Sequence, residues 1–139
     1  MATTYINNTK LFRGSLMNTT LRILVGLPAL LFIFIGLRWA VDPSGAADMS
    51  GMPLLTGLAL SSQIGDFGAL FLGLGSMALY GSVKQSPSWL YPPAIVLLVI
   101  ACYRVIAWSF HSAPFAVTEI IVEIVVATLL ILLAKGSSK

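Results

Sequence analysis

Four runs of about twenty apolar residues, parted by turn-forming connections, leave this chain few ways to fold. They cover about 21–41, 65–83, 89–110 and 115–134. Each is long enough to cross a hydrocarbon layer of ~30 Å as a helix rising ~1.5 Å per residue. Backbone polar groups in lipid must be satisfied within their own segment or in a closed sheet, so helices are expected. The expected fold is all-α: an integral membrane antiparallel four-helix bundle, forming one domain over 21–135. Composition agrees. Of 139 residues 58% are hydrophobic and only 9% charged, with mean hydropathy +0.94, against about 25% charged in an ordinary soluble domain.

Loop charges set the orientation. Lys10, Arg13, Arg22, Lys84, Lys135 and Lys139 fall in tails or loops on one side, leaving Arg38 and Arg104 near the other. Positively charged loops stay cytoplasmic, so both termini are expected inside. The net charge of +3 is thereby explained without nucleic acid, and there is no basic stripe with interleaved aromatics.

The N-terminal 1–20 segment is polar with scattered apolar residues, and fits either an interfacial helix or a loose tail. The first span reads as a retained helix rather than a cleaved leader, since no small-residue cleavage site follows its long apolar core. Residues 136–139 form a short C-terminal tail. The outer connection, 42–64, begins with Asp42-Pro43-Ser44-Gly45 and continues through Gly51-Met52-Pro53, both of which read as turns. Leu54, Leu55, Leu58 and Leu60 are too apolar for a free loop, so this connection is expected to fold partly over the outer mouth. In the second span, Gly65, Ala69 and Gly73 recur every four residues, with Gly68 and Gly75 thinning a neighbouring face. Small residues in that register let helices approach closely, within a subunit or between subunits.

Six polar residues share one depth. Arg38 ends the first span, Asp66 opens the second, Arg104 and His111 lie toward the end of the third, and Glu119 and Glu123 begin the fourth. All fall in the outer half. An ionised side chain at the centre of a spanning helix costs about 2.5–3.5 kcal/mol on insertion scales, so such residues face inward and find partners. Glu119 and Glu123, four apart, share a face. Arg104 with Glu123 and Arg38 with Asp66 are the expected pairs, leaving one acid and His111 adjustable. A structural set of ion pairs, a ligand or ion site, and catalysis all remain open readings. Trp39 and Trp108 read as interfacial anchors, with Arg104 as an alternative partner for Trp108. No metal or cofactor is expected: Cys102 is the single cysteine and His111 the single histidine.

The stretches Leu37-Arg38-Trp39, Asp42-Pro43, Gly51-Met52-Pro53 and Gly65-Asp66-Phe67-Gly68, followed by Arg104, His111 and the Glu119/Glu123 pair, carry a resemblance. The chain resembles a family of small bacterial four-helix membrane proteins of unknown function, distantly DoxX-like. That resemblance covers nearly everything after the N-terminal tail. It implies a four-helix bundle in a bacterial inner membrane, and no particular activity. The residues themselves point first to a non-enzymatic protein that binds a small ligand, ion or partner subunit through the outer charge cluster, with no catalytic residue assigned. A homo-oligomer or larger membrane complex fits the glycine face. The competing readings are a proton-coupled oligomeric transporter or channel, and a membrane-embedded enzyme acting on a lipid-like substrate.

Overall fold

Apolar residues without β-branched alternation, broken by Asp-Pro, Ser-Pro and Ala-Pro steps, fold here into helices throughout. A computed structural model describes residues 2–137, with side chains from residue 19 onward. The choice between interfacial helix and loose tail turns on side chains 1–18, which lie outside the described residues. The elements are α1 (Ala2–Val41), α2 (Pro43–Met49), α3 (Gly57–Ser62), a π-helical turn (Gln63–Phe67), α4 (Gly68–Lys84), α5 (Pro87–His111) and α6 (Val117–Ser137). Among the described residues, four helical runs are long and apolar enough to cross a membrane: Thr19–Val41, Gly57–Lys84, Pro87–His111 and Val117–Ser137. The second starts eight residues before the expected 65, because α3 continues through the π turn into α4.

Between 17% and 33% of each spanning stretch is buried, so most of the apolar surface looks outward. Leu27, Phe34, Ile95, Tyr103 and Ile121 are all more than half exposed. A soluble monomer rarely displays that much contiguous apolar surface; a membrane protein does. The long helices share one core, to which α1 contributes Val25 and Ala29, α4 Leu74 and Ala78, α5 Leu90 and Leu97, and α6 Ala127 and Leu130.

The closest approach is between α1 and α4. A Cβ built on Gly36 would lie 2.5 Å from the Leu72 backbone nitrogen, and one on Gly75 would lie 2.6 Å from the Ala29 carbonyl oxygen. Gly68 sits against the Trp39 side chain. At the far end Arg22 donates to the Val83 carbonyl at 3.3 Å, satisfying an orphan acceptor in the last turn of α4. The expected packing face, Gly65, Ala69 and Gly73, is corrected as far as contacts within the chain are concerned. A Cβ on Gly65 or Gly73 meets nothing within 4 Å, and Ala69 is exposed. Gly68 and Gly75, seven apart and so on one face, take that role because Gly36 faces them.

The end of the molecule that carries α2 is closed by a second cluster of Trp39, Ala46 and Ala47, flanked by Met52, Ile64 and Phe67. Trp39 is fully buried, and its ring stacks on Phe67 at 5.7 Å between centroids. The anchor reading for Trp39 is therefore corrected: α2 covers it. Trp108 remains half exposed and meets Phe115 at 4.9 Å rather than Arg104. The Asp42-Pro43-Ser44-Gly45 turn is corrected too. Asp42 is the N-cap of α2 and Pro43 occupies its first turn, the positions these residue types favour. Gly51, at φ +67°, makes the expected turn after α2.

Gly75→Ala drives a methyl group into the α1 backbone and is expected to cost about 1–3 kcal/mol, whereas Gly73→Ala stays within about 0.5 kcal/mol of wild type. Denaturant titration of both variants in mixed micelles measures this. Equal losses would contradict the assigned packing face.

Candidate functional site

Arg104 lies two turns before the end of α5, and Glu123 lies in the second turn of α6. Their side chains meet directly: Arg104 Nε donates to Glu123 Oε1 at 2.7 Å, a short charge-assisted bond. Glu123 is only 7% exposed, while the Arg104 side chain is 38% exposed. Glu123 Oε2 is buried and has no hydrogen-bond partner among the described residues. An orphaned carboxylate oxygen is costly in a low-dielectric setting and calls for an explanation.

The pair borders a cavity of about 390 Å³, within the range of small-molecule sites. Phe32 from α1, Phe67 from the π turn and Phe71 from α4 form an aromatic wall. The rings of Phe32 and Phe71 meet edge to face at 5.5 Å. Leu70, Leu74, Leu97, Ile100 and Val122 line the apolar remainder. Polar groups come from α5 and α6 alone: Arg104, Thr118, Glu119 and Glu123. Glu119 is exposed and, among the described residues, has no hydrogen-bond or ion-pair partner.

The π turn shapes this wall. Inserting one extra residue into a helical turn rotates the helix beyond it, and such turns recur at functional sites. Here Gln63 turns inward, where its Oε1 accepts from the Leu55 N–H at 3.0 Å and its Nε2 donates to the Pro53 carbonyl at 3.1 Å. That pins the connection between α2 and α3 in place. Phe67 then lies between Trp39 and the cavity, while Asp66 points away and is exposed.

The six expected residues therefore part company. Arg104, Glu119 and Glu123 converge on the cavity. His111 is exposed at the end of α5, and neither it nor Asp66 has a side-chain partner among the described residues. The expected Arg38–Asp66 pair is a correction. Arg38 Nη2 and Nε donate to Asp42 Oδ2 at 2.9 and 3.2 Å, and Nη1 donates to Met49 Sδ at 3.1 Å. Asp42 wins because it lies one turn further along the same face, and Gly45 leaves space beside the pair that a Cβ would fill. The Gly45 N–H donating to Asp42 Oδ1 at 3.0 Å, then the Arg38 guanidinium, hold the Asp42 carboxyl below its ordinary value of 3.8.

Sequence reading missed Asp42 as the Arg38 partner, although the four-residue spacing carried the signal. It also missed Gln63 and the three phenylalanines, whose convergence depends on tertiary packing. Comparison with protein-family models, curated proteins and solved structures finds no match to this chain.

Arg104→Met strips Glu123 of its partner; the expected loss is about 1–3 kcal/mol, less than for a fully buried pair because Arg104 is partly wetted. Adding Glu123→Leu recovers part of that loss in denaturant titrations, and a further loss in the double variant would show that the two residues do not act as a pair. Asp42, with a lowered folded pKa, contributes stability above pH 3.8, which is lost as pH falls through the folded value. The melting-temperature gap between wild type and Asp42→Asn should thus be present near neutral pH and shrink as pH falls below 3.8; a gap independent of pH contradicts the capping role.

Proposed function

We propose that this chain is a small multi-pass protein of a bacterial inner membrane, an antiparallel four-helix bundle with both termini cytoplasmic, that binds a small apolar ligand bearing a polar group. The binding role is non-enzymatic. The descending order of contacts from Arg22–Val83 through Ala29–Gly75 to Trp39–Gly68 supports opposite directions for the first two spans. The excess of Lys and Arg on one side supports the orientation. The resemblance in Arg38-Trp39, Gly65-Asp66-Phe67-Gly68 and the Glu119/Glu123 pair supports the bacterial assignment.

The observation that carries the binding role is a cavity of about 390 Å³ whose walls are apolar except for one face holding Arg104, Glu119 and Glu123. A purely structural ion pair needs no cavity beside it. In a ligand site the apolar walls supply affinity and a few placed polar groups fix orientation. Asp66 and His111, exposed on the same outer side, fit a role at the rim rather than in the site. The Gly65, Ala69 and Gly73 face, with Gly65 and Ala69 exposed and open space beside Gly65 and Gly73, is available for a second copy or a neighbouring subunit.

The test uses the neutral fluorophore N-phenyl-1-naphthylamine and the protein in phosphatidylcholine nanodiscs, with empty nanodiscs as the partition control. Saturable binding of one probe per chain is expected, reduced at least tenfold by Val122→Trp, which fills the cavity. A signal equal to that of empty nanodiscs contradicts the reading.

A further inference from the structure

We infer that the cavity selects a monovalent organic cation, an ammonium group carried on an apolar body. This rests on the ligand-binding reading above and names the ligand class for the same site.

Charge balance comes first. The wall carries two carboxylates and one guanidinium. Arg104 Nε is committed to Glu123 Oε1 at 2.7 Å. Glu123 is more than nine-tenths buried, and its second oxygen has no donor. Glu119, one helical turn away on the same face, has no partner among the described residues. The wall thus has one carboxylate more than it has guanidinium to answer it. In a medium of low dielectric such an excess favours a positive ligand and repels a carboxylate or phosphate.

Aromatic rings in the wall supply the second argument. Phe32, Phe67 and Phe71 line the same cavity, and the face of a benzene ring attracts a cation electrostatically. Aromatic cages around quaternary and protonated amines use this attraction. The carboxylates and the rings come from different helices, so the two features arise independently and favour one charge type. A hard metal ion fits poorly, since it requires several oxygen ligands and most of this wall is hydrocarbon. An ammonium on a hydrophobic body suits both halves of the cavity: its head faces Glu119, the free oxygen of Glu123 and the phenylalanine rings that line the wall, while its body faces Leu74, Leu97 and Val122.

Three probes with a common phenylalkyl body separate the possibilities: 4-phenylbutylamine, 4-phenylbutanol and 5-phenylvalerate. Each is titrated calorimetrically against the full chain in phosphatidylcholine nanodiscs at neutral pH, with empty nanodiscs subtracted. The amine should bind at least tenfold more tightly than the alcohol, and the carboxylate more weakly still. Glu119→Gln should weaken amine binding about tenfold and alcohol binding much less, a charge-dependent difference that altered packing alone does not produce. If the alcohol equals the amine, or the carboxylate is preferred, cation selectivity is overturned while the cavity still stands as a binding site. If none of the three binds, the inference is overturned, and saturable N-phenyl-1-naphthylamine binding decides separately whether the cavity reading survives.

Discussion

The contact between Arg104 and Glu123 is the point around which the rest of this molecule is arranged. A guanidinium two turns inside an apolar spanning helix is tolerated only where a partner or water meets it. Glu123 supplies that partner at 2.7 Å, fixing the register of α5 against α6 where Arg104 and Glu123 meet. Because Glu119 and Glu123 lie one turn apart on one face, the same register brings the second carboxylate onto the cavity wall. The hydrophobic effect cannot set this register, since lipid tails are as apolar as the helix surfaces they would cover.

The opposite side of the molecule is held by shape rather than charge. Gly36, Gly68 and Gly75 let α1 and α4 approach until side chain meets backbone. Their closeness leaves Phe32 and Phe71 edge to face and aimed at the cavity. The π turn then places Phe67 between Trp39 and that same space. Two physically different devices, an ion pair on α5 and α6 and a glycine seam on α1 and α4, therefore build two unlike walls around one cavity.

Much of this was legible from residue order. Spans near twenty apolar residues announced themselves, and the bilayer's penalty on charge predicted the Arg104–Glu123 pair from depth alone. Depth, however, gives no angle about the helix axis. Gly65, Ala69 and Gly73 formed the more regular small-residue row, yet Gly68 and Gly75 face α1, because a π turn upstream and Gly36 opposite decide the contact. Asp66 shared a depth with Arg38 but not a direction, and Asp42 stood one turn away on the same helix. Trp39 looked like an interfacial residue because the segment that buries it, α2, reads as a turn in Asp42-Pro43-Ser44-Gly45. The aromatic wall left no local signal, since phenylalanine in a spanning helix is as often turned to lipid as to the core.

Direct observation of the Arg104–Glu123 contact in a bilayer tests this arrangement at its root. Solid-state dipolar recoupling between ¹⁵Nε-labelled Arg104 and the ¹³C-labelled carboxyl carbon of Glu123, in lipid rather than detergent, reads that separation. A strong coupling corresponding to a hydrogen-bonded pair is predicted. Resolved, ordered signals from both groups with no coupling between them would place the charges apart and remove the polar wall of the cavity.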